Sequence, residues 1–565
     1  MIIRRPLAAS GHDSRVSEPS AGARRGSALT FRLLTLAATI ELFLLSLWAV
    51  APLAPISQTI SPLARQWPWL LGPARLIFGS APVNGSIPAE RGWPALLLFA
   101  TLLVGVSCQA ALVIPLCLRF PGGGRRYLLL ALGATAIFGL TLVLLPALPS
   151  DDLFSYILYG RIGAVHHANP LIVTPSAFPN DPFLRLVFWQ GTRSVYGPAW
   201  LLISQGLTLL AEALGGSLAG YVLLYKMLGL IAHLVNTLLI WLIVGRLAPH
   251  RQLVATLFYA WNPLCLLEFC ASAHNDAVML TFLLLGVYCL LRSWEVTALI
   301  AFGLSISVKY VMLALLPLYF AVIVRQTLEQ GGTKPQAVLR VGWRVLVVAG
   351  VVALALLSYW AGPQTLGAVV YSPPAQRLDN SLLDAISWPL RAVLEALGAP
   401  QGTAAAVGLT SLKVAGLVVF SGLWLLELFR VRSLKTLLYA WLVVILGYLL
   451  IASGWYWPWY ATWAVALAAL VAGFGLDAGD IPSPTEREAT PRGVHTVMAA
   501  TLLLAGGSLV LYGFLPLYAS PIYGYRALVA LAPAAIYLLI RGGHQWPSVR
   551  RRLRQVVLGE QRHTG

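Results

Sequence analysis

Two carboxylates stand side by side in Ser150-Asp151-Asp152-Leu153-Phe154-Ser155-Tyr156, at the head of an apolar run. A carboxylate at a membrane boundary can take a proton from an attacking hydroxyl, and an ionisable residue inside a multi-span protein usually has a function. The plainer role is a helix cap, because Asp is favoured at an N-cap and acids are favoured in a first turn. A second polar motif, His274-Asn275-Asp276, heads another apolar run and carries the same two interpretations. Arg161, Lys226 and Lys309 are cations that could meet a phosphate, although a lysine in an apolar stretch can also snorkel to the interface. Tyr156, Tyr196 and the run Trp455-Tyr456-Trp457-Pro458-Trp459-Tyr460 supply rings that could pack on a sugar or form an interfacial aromatic belt. His166 and His167 are adjacent rather than four apart, a poor spacing for a metal, and no metal ligand set is assigned.

The elements that must carry these residues are membrane helices. Of 565 residues 58% are hydrophobic and 11% charged, with a mean hydropathy of +0.77, values that exclude a soluble globular domain. Apolar runs of about 20 residues, enough to cross ~30 Å of hydrocarbon, recur between residues 30 and 540. The net charge of +18 sits in short loops and tails, so it reports positive-inside topology and not a nucleic-acid partner. The five cysteines lie in apolar segments without metal-type spacing and read as small core residues.

Residues 1–29 read as a disordered basic cytoplasmic tail, residues 30–541 as one multi-span domain, and residues 542–565 as a second basic cytoplasmic tail. Residues 149–220 form an outer loop with juxtamembrane helices. If 198–215 crossed the membrane, Arg246, His250 and Arg251 would fall outside, so that helix is expected to lie on the outer surface or to pack back into the protein. The stretch 296–325 is too long for one span and is interrupted at Ser307-Val308-Lys309-Tyr310, which predicts two helices folded back at Lys309. Residues 362–403 form a long external loop that could line an acceptor groove. The fold expected is all-α and polytopic, with about 14 spans, both termini inside and a cavity on the outer face.

The order of motifs is more specific than any one of them. Asp151-Asp152-Leu153-Phe154-Ser155-Tyr156 is followed by Tyr159-Gly160-Arg161, Asn169-Pro170, Tyr196-Gly197-Pro198-Ala199-Trp200, Asn262-Pro263, His274-Asn275-Asp276 and Lys309-Tyr310. Over roughly residues 125–470 the chain resembles the membrane enzymes of the glycosyltransferase C superfamily. Within it, the likeness is to the polyprenyl-phosphate-mannose-dependent α-1,6-mannosyltransferases of the actinobacterial type. The resemblance implies an inverting transfer of a sugar from a polyprenyl phosphate to a hydroxyl of a glycan or lipoglycan, at the outer face of the plasma membrane. Such an enzyme needs no Gly-rich nucleotide loop, and none is evident. It implies one acid of the Asp151 and Asp152 pair as the base, Asp152 by alignment. Tyr156, Arg161, Tyr196, Lys226, His274, Asn275, Asp276, Lys309, Trp455 and Trp457 are the expected substrate-binding residues. No cofactor is assigned, and the acid pair could act bare or hold a divalent ion.

Two alternatives stay open. A flippase or transporter of lipid-linked saccharides should place ionisable groups near mid-membrane, and no fixed-period repeat or inverted duplication is evident among the spans. A ligase or polymerase using undecaprenyl-diphosphate donors would keep the membrane enzyme and change the donor. The topology is directly testable: reporter fusions after Ser150, Ser272 and Gly454 should report outside and one after Pro249 inside. An outside signal at Pro249 would overturn the outward placement of His274.

Overall fold

A computed structural model describes residues 19–53, 60–79, 94–95, 97–107, 124–367, 376–474, 491–514 and 523–541. The chain is helical, in keeping with its composition. The helices that matter here are α1 (Pro19–Val50), α2 (Arg125–Val143), α3 (Asp152–Ala164), α4 (Pro198–Ala213), α5 (Leu218–Leu247), α6 (Gln252–Ala260), α7 (Asp276–Leu291) and α8 (Glu295–Val308). They are followed by α9 (Leu316–Glu329), α10 (Lys334–Leu357), α11 (Leu382–Ala396), α12 (Gln401–Arg430), α13 (Leu434–Gly447), α14 (Ala461–Val471) and α15 (Pro491–Leu511).

Among the described residues nine helices are long and apolar enough to cross a membrane, or ten if one bent pair counts as a span. Several expected spans are shorter than that. Helices α7 and α8 have 16 and 14 residues. The expected span at 252–271 is broken, with a 50° bend between Pro249–Ala260 and Pro263–Ala271. The break is written in the sequence: Pro263 lacks an N–H, and the Asn262 side chain caps the next turn by accepting from Leu264 N at 3.1 Å. Helix α1 begins at Pro19, inside the segment expected to be disordered, where Ala21, Ala23, Arg24, Arg25 and Ala28 favour helix. The loop expected at 362–403 contains amphipathic helix α11; its Tyr371-Ser372-Pro373-Pro374 lies outside the described residues, as does the tail 542–565.

The fold-back at Lys309 is present. Helix α7 turns through Arg292-Ser293-Trp294 and α8 returns beside it, with Ser305 Oγ donating to Met279 O at 2.9 Å. Helix α8 stops at Val308, Lys309 is extended (φ −150°, ψ 117°), and α9 runs back so that Tyr319 donates to Glu295 at the start of α8. Arginines gather at that return end: Arg344 pairs with Glu295, and Arg325 Nη2 donates to Leu428 O at 3.0 Å. The polar motifs gather at the other end.

Helix α4, too short to be a span, packs on α3. A Cβ on Gly160 would lie 2.6 Å from Ser204 O, so only glycine permits that approach. Gly197 is tighter: its N donates to Val308 O at 3.2 Å and a Cβ there would lie 2.1 Å from Ser307 O. This contact stitches the segment carrying Tyr196 to the end of α8 beside Lys309. Gly197→Ala should therefore force the two segments apart and destabilise the protein by about 1–3 kcal/mol. Gly206→Ala, where a Cβ meets nothing within 4 Å, is the control and should be neutral or slightly stabilising. Thermal unfolding in detergent compares them, and equal midpoints would remove the stitch.

Candidate active site

Five stretches of chain converge at the polar end on a cavity of about 670 Å³. Its floor is the start of α3, its cations are Lys309 at the break after α8 and Arg377, and much of its wall is indole: Trp189, Trp455, Trp457, Trp459 and Trp463. The rings form a near-continuous surface. Trp189 and Trp455 are 6.0 Å apart, Trp455 and Trp457 6.1 Å, and Trp457 lies parallel to Trp459 at 5.3 Å. Residues 453–459 are held by a second segment, with Asp379 N donating to Gly454 O at 2.8 Å and Tyr456 N to Asp379 O at 3.1 Å. Arg526, buried, pins Asp379 and Asn380 from behind.

Asp151 occupies the N-cap position of α3 but its side chain makes no capping bond, and Asp152 stands in the first turn. Asp151 and Asp152 both line the cavity. The Tyr196 hydroxyl donates to Asp152 Oδ2 at 3.3 Å, and Tyr156 meets Tyr196 edge-on at 4.9 Å. Burial lifts the Asp152 carboxyl above its ordinary range, and His274, Lys309, Tyr196 and Trp189 pull it back only in part. A desolvated carboxylate of this kind is a stronger base than one in water.

His274, Asn275 and Asp276 are all buried, behind the cavity wall and not on it. The turn that presents them is strained and close-packed. Ala273 has φ 58°, His274 N donates to Glu268 O at 2.9 Å across a π-helical turn (Leu267–Ala271), and Gly229 of α5 packs so closely that a Cβ would meet Phe269 O at 1.9 Å. His274 stacks on Trp459 at 4.0 Å, its Nδ1 is 3.2 Å from the Tyr156 hydroxyl, and its Nε2 is 3.3 Å from Glu268 Oε2. Asp276 Oδ1 accepts from Lys309 Nζ at 2.7 Å and from the Trp463 indole. Of the side chains they touch, Trp459 and Lys309 line the cavity, whereas Tyr156, expected to bind substrate, is buried behind it.

The structure takes two of the three expected phosphate cations away from the cavity. Arg161 is buried in its own network, donating to Asp181 Oδ2 at 2.9 Å, Glu212 Oε1 at 2.6 Å and the Tyr221 hydroxyl at 2.9 Å. His166 Nε2 lies 2.8 Å from the same Asp181 oxygen, which gives that histidine a structural partner. Lys226 is fully buried on α5 and donates to Val143 O at 3.0 Å, since the end of α2 leaves that carbonyl without a helical donor. Lys309 remains. Among the described residues no group of three or more His, Cys, Asp or Glu converges as metal ligands would.

Sequence reasoning did not single out Trp189 or Trp463, and it named Arg377 only within the loop expected to shape an acceptor groove and Glu268 only among the acids near the outer face. Trp189 lies in a loop with no periodicity, and Trp463 is one of many aromatic residues in an apolar run. Glu268 did carry a signal: an acid inside an apolar segment, six residues before His274, needs a partner. Its partners are His274 and the Tyr512 hydroxyl, which donates to Oε1 at 2.6 Å.

Comparison with known proteins places this geometry. Residues 90–325, less than half of the chain, match the family described as alpha-(1->6)-mannopyranosyltransferase, N-terminal domain. The chain is 32% identical over 167 residues to an alpha-(1->6)-mannopyranosyltransferase of Mycobacterium tuberculosis, covering 28% of this chain and 26% of that protein. It is 31% identical over 183 residues to a protein of Mycolicibacterium smegmatis named a probable alpha-(1->6)-mannopyranosyltransferase, covering 31% of each. The matched stretches thus span under a third of either relative's length. The family match contains Asp152, Tyr196, His274 and Lys309, and stops before the tryptophans of 455–463.

The Lys309 and Asp276 pair makes a stability prediction. Asp276 is fully buried, so Lys309→Met would strand a carboxylate, a change that costs about 3–5 kcal/mol when both partners are buried and less here because Lys309 opens on the cavity. The double variant Lys309→Met with Asp276→Asn should recover part of the loss. A single variant as stable as the wild type would mean that the pair contributes little.

Proposed function

We propose that this chain is an inverting mannosyltransferase of the plasma membrane, taking the sugar from a polyprenyl phosphate and adding it to a hydroxyl of a glycan or lipoglycan acceptor. The family match over residues 90–325 and the likeness to two mycobacterial relatives named as mannosyltransferases support the sugar and the reaction class. The observation that carries the chemistry is Asp152: a desolvated carboxylate on a cavity floor, with an ammonium near it and indole around it. Both termini lie in the cytoplasm in this reading, and the cavity faces outward, because the arginine-rich end is opposite and positive charge is retained inside.

In the reaction the acceptor oxygen attacks the anomeric carbon from the face opposite the phosphate. The new C–O bond forms as the anomeric carbon to phosphate-oxygen bond breaks, the electron pair leaves on the phosphate, and the hydroxyl proton passes to Asp152. One displacement inverts the centre. The phosphate leaves as a stable anion and requires no general acid, in contrast to the alkoxide of glycoside hydrolysis. Lys309 lies where it can oppose the charge growing on the leaving oxygen. Trp455 and Trp457 offer faces to a sugar ring, and Tyr196 holds the base in place. No cofactor is assigned. A lipid-saccharide flippase is less well supported, since the acids that line the cavity, Asp151, Asp152 and Asp379, gather at one end of the bundle.

The test is transfer in proteoliposomes, with polyprenyl-phosphate mannose compared with the glucose and arabinose donors, with and without chelator. Asp152→Asn should lower the rate by about 10²- to 10⁴-fold while expression and monodispersity stay normal. Asp151→Asn should be milder. Because Asp152 must be ionised to accept a proton and burial raises its pKa, wild-type activity should fall as pH drops through that raised value, before an ordinary aspartate would protonate. Full activity of Asp152→Asn would remove the acid from the mechanism.

A further inference from the structure

Arg377 is the cavity's second cation, and nothing so far has given it a task. It lies in the segment that carries Asp379, is exposed to the cavity, and makes no salt bridge at hydrogen-bonding distance among the described residues. Its guanidinium lies over two indoles, 4.9 Å from the Trp455 ring centre and 5.4 Å from that of Trp189. Lys309 is differently placed: its ammonium is bound to a buried carboxylate and covered by the Tyr460 and Trp463 rings. Lys309 is in direct contact with its carboxylate, and Arg377 is held by rings instead.

We propose that Arg377 is a phosphate-binding residue of this cavity, its guanidinium held over the Trp189 and Trp455 rings so that its N–H groups meet the phosphate of a polyprenyl phosphate. The ring faces attract the cation without consuming its in-plane donors, which leaves the fork free for two oxygens. A planar guanidinium held on rings loses less freedom on binding than a lysine stem. The Asp379 carboxylate, on the same segment, faces Arg377 but is bound by Arg526 at 3.3 Å. The flanking indoles also exclude water from one side of the contact, which strengthens a charge-assisted bond. The reading rests on the lipid-phosphate donor proposed above.

Direct binding separates the two claims, because it needs no turnover. Purified protein in detergent is titrated with farnesyl phosphate and with farnesol, which differ only in the phosphate. The wild type should prefer the phosphate. Arg377→Gln should lose about tenfold to a hundredfold in affinity for farnesyl phosphate with farnesol unchanged, and Arg377→Lys should recover part of it. In turnover the same variant should raise the donor KM, lower kcat as charge grows on the leaving oxygen, and leave the acceptor KM unmoved. Unchanged phosphate affinity in Arg377→Gln overturns the proposal, and so does an equal loss for both ligands, which would make Arg377 a support for the wall. Wild-type protein that binds farnesyl phosphate through Arg377 yet transfers no mannose would leave this site standing and overturn the proposed reaction instead.

Discussion

The ion pair between Lys309 and Asp276 is the contact on which the polar end of this protein depends. It joins the first residue of α7 to the first residue after α8, the two open ends of a helical hairpin. Taking a carboxylate out of water costs several kcal/mol, and here the cost is offset by an ammonium at 2.7 Å and by the Trp463 indole on the same oxygen. The consequence is geometric. Asp276 fixes the turn that presents His274, Lys309 fixes the break from which α9 descends, and Trp463 draws α14 against both. Three walls of the cavity are set by one carboxylate oxygen.

That arrangement is possible only because backbones approach closely around it. At Gly197 and Gly229 a side chain would collide with a carbonyl oxygen, at 2.1 Å and 1.9 Å. In a bilayer there is no hydrophobic effect between helices, so small residues that permit close packing carry much of the association energy. The glycines do more than save space here. Gly197 brings Tyr196 within reach of Asp152 from the other side of the chain, and Gly229 seats the strained turn at Ala273 against α5. The Asp152 carboxyl is therefore oriented by backbone contacts that lie outside the cavity.

The parts of the site that were legible in the sequence are those where a polar residue interrupts an apolar run. Asp152, Asp276 and Lys309 stand out because the membrane makes each expensive, so their positions along the chain showed where the cavity would form. The surface helix α4 and the break at Lys309 were legible for the same reason, from charge balance and from the length of an apolar stretch. What charge type alone could not reveal was pairing. Arg161 and Lys226 are as conspicuous in sequence as Lys309, yet one is neutralised by Asp181 and Glu212 and the other satisfies a helix-end carbonyl. Span length was also misleading, because α7, α8 and α14 are short helices packed within the bundle, where neighbouring protein replaces lipid around part of their length. Aromatic residues carried the weakest signal. Trp189 and Trp455 lie far apart in the chain and meet only through tertiary contact.

The two cavity cations illustrate why a site of this kind divides charge between different side chains. A lysine ammonium is a compact point charge that can be stripped of water and buried if a carboxylate compensates it, and Lys309 is used that way, so that its net field on a ligand is reduced by Asp276. A guanidinium needs no carboxylate to be held, because flat aromatic faces suffice, and Arg377 keeps its full charge toward the cavity. Were both cations uncompensated, they would lower the pKa of Asp152 and weaken it as a base, since a nearby positive charge favours the carboxylate. Burial keeps the Asp152 carboxyl above its ordinary range although Lys309 acts to lower it, while Arg377 sits in the separate segment that carries Asp379. The base and the phosphate can then be tuned in opposite directions within one cavity.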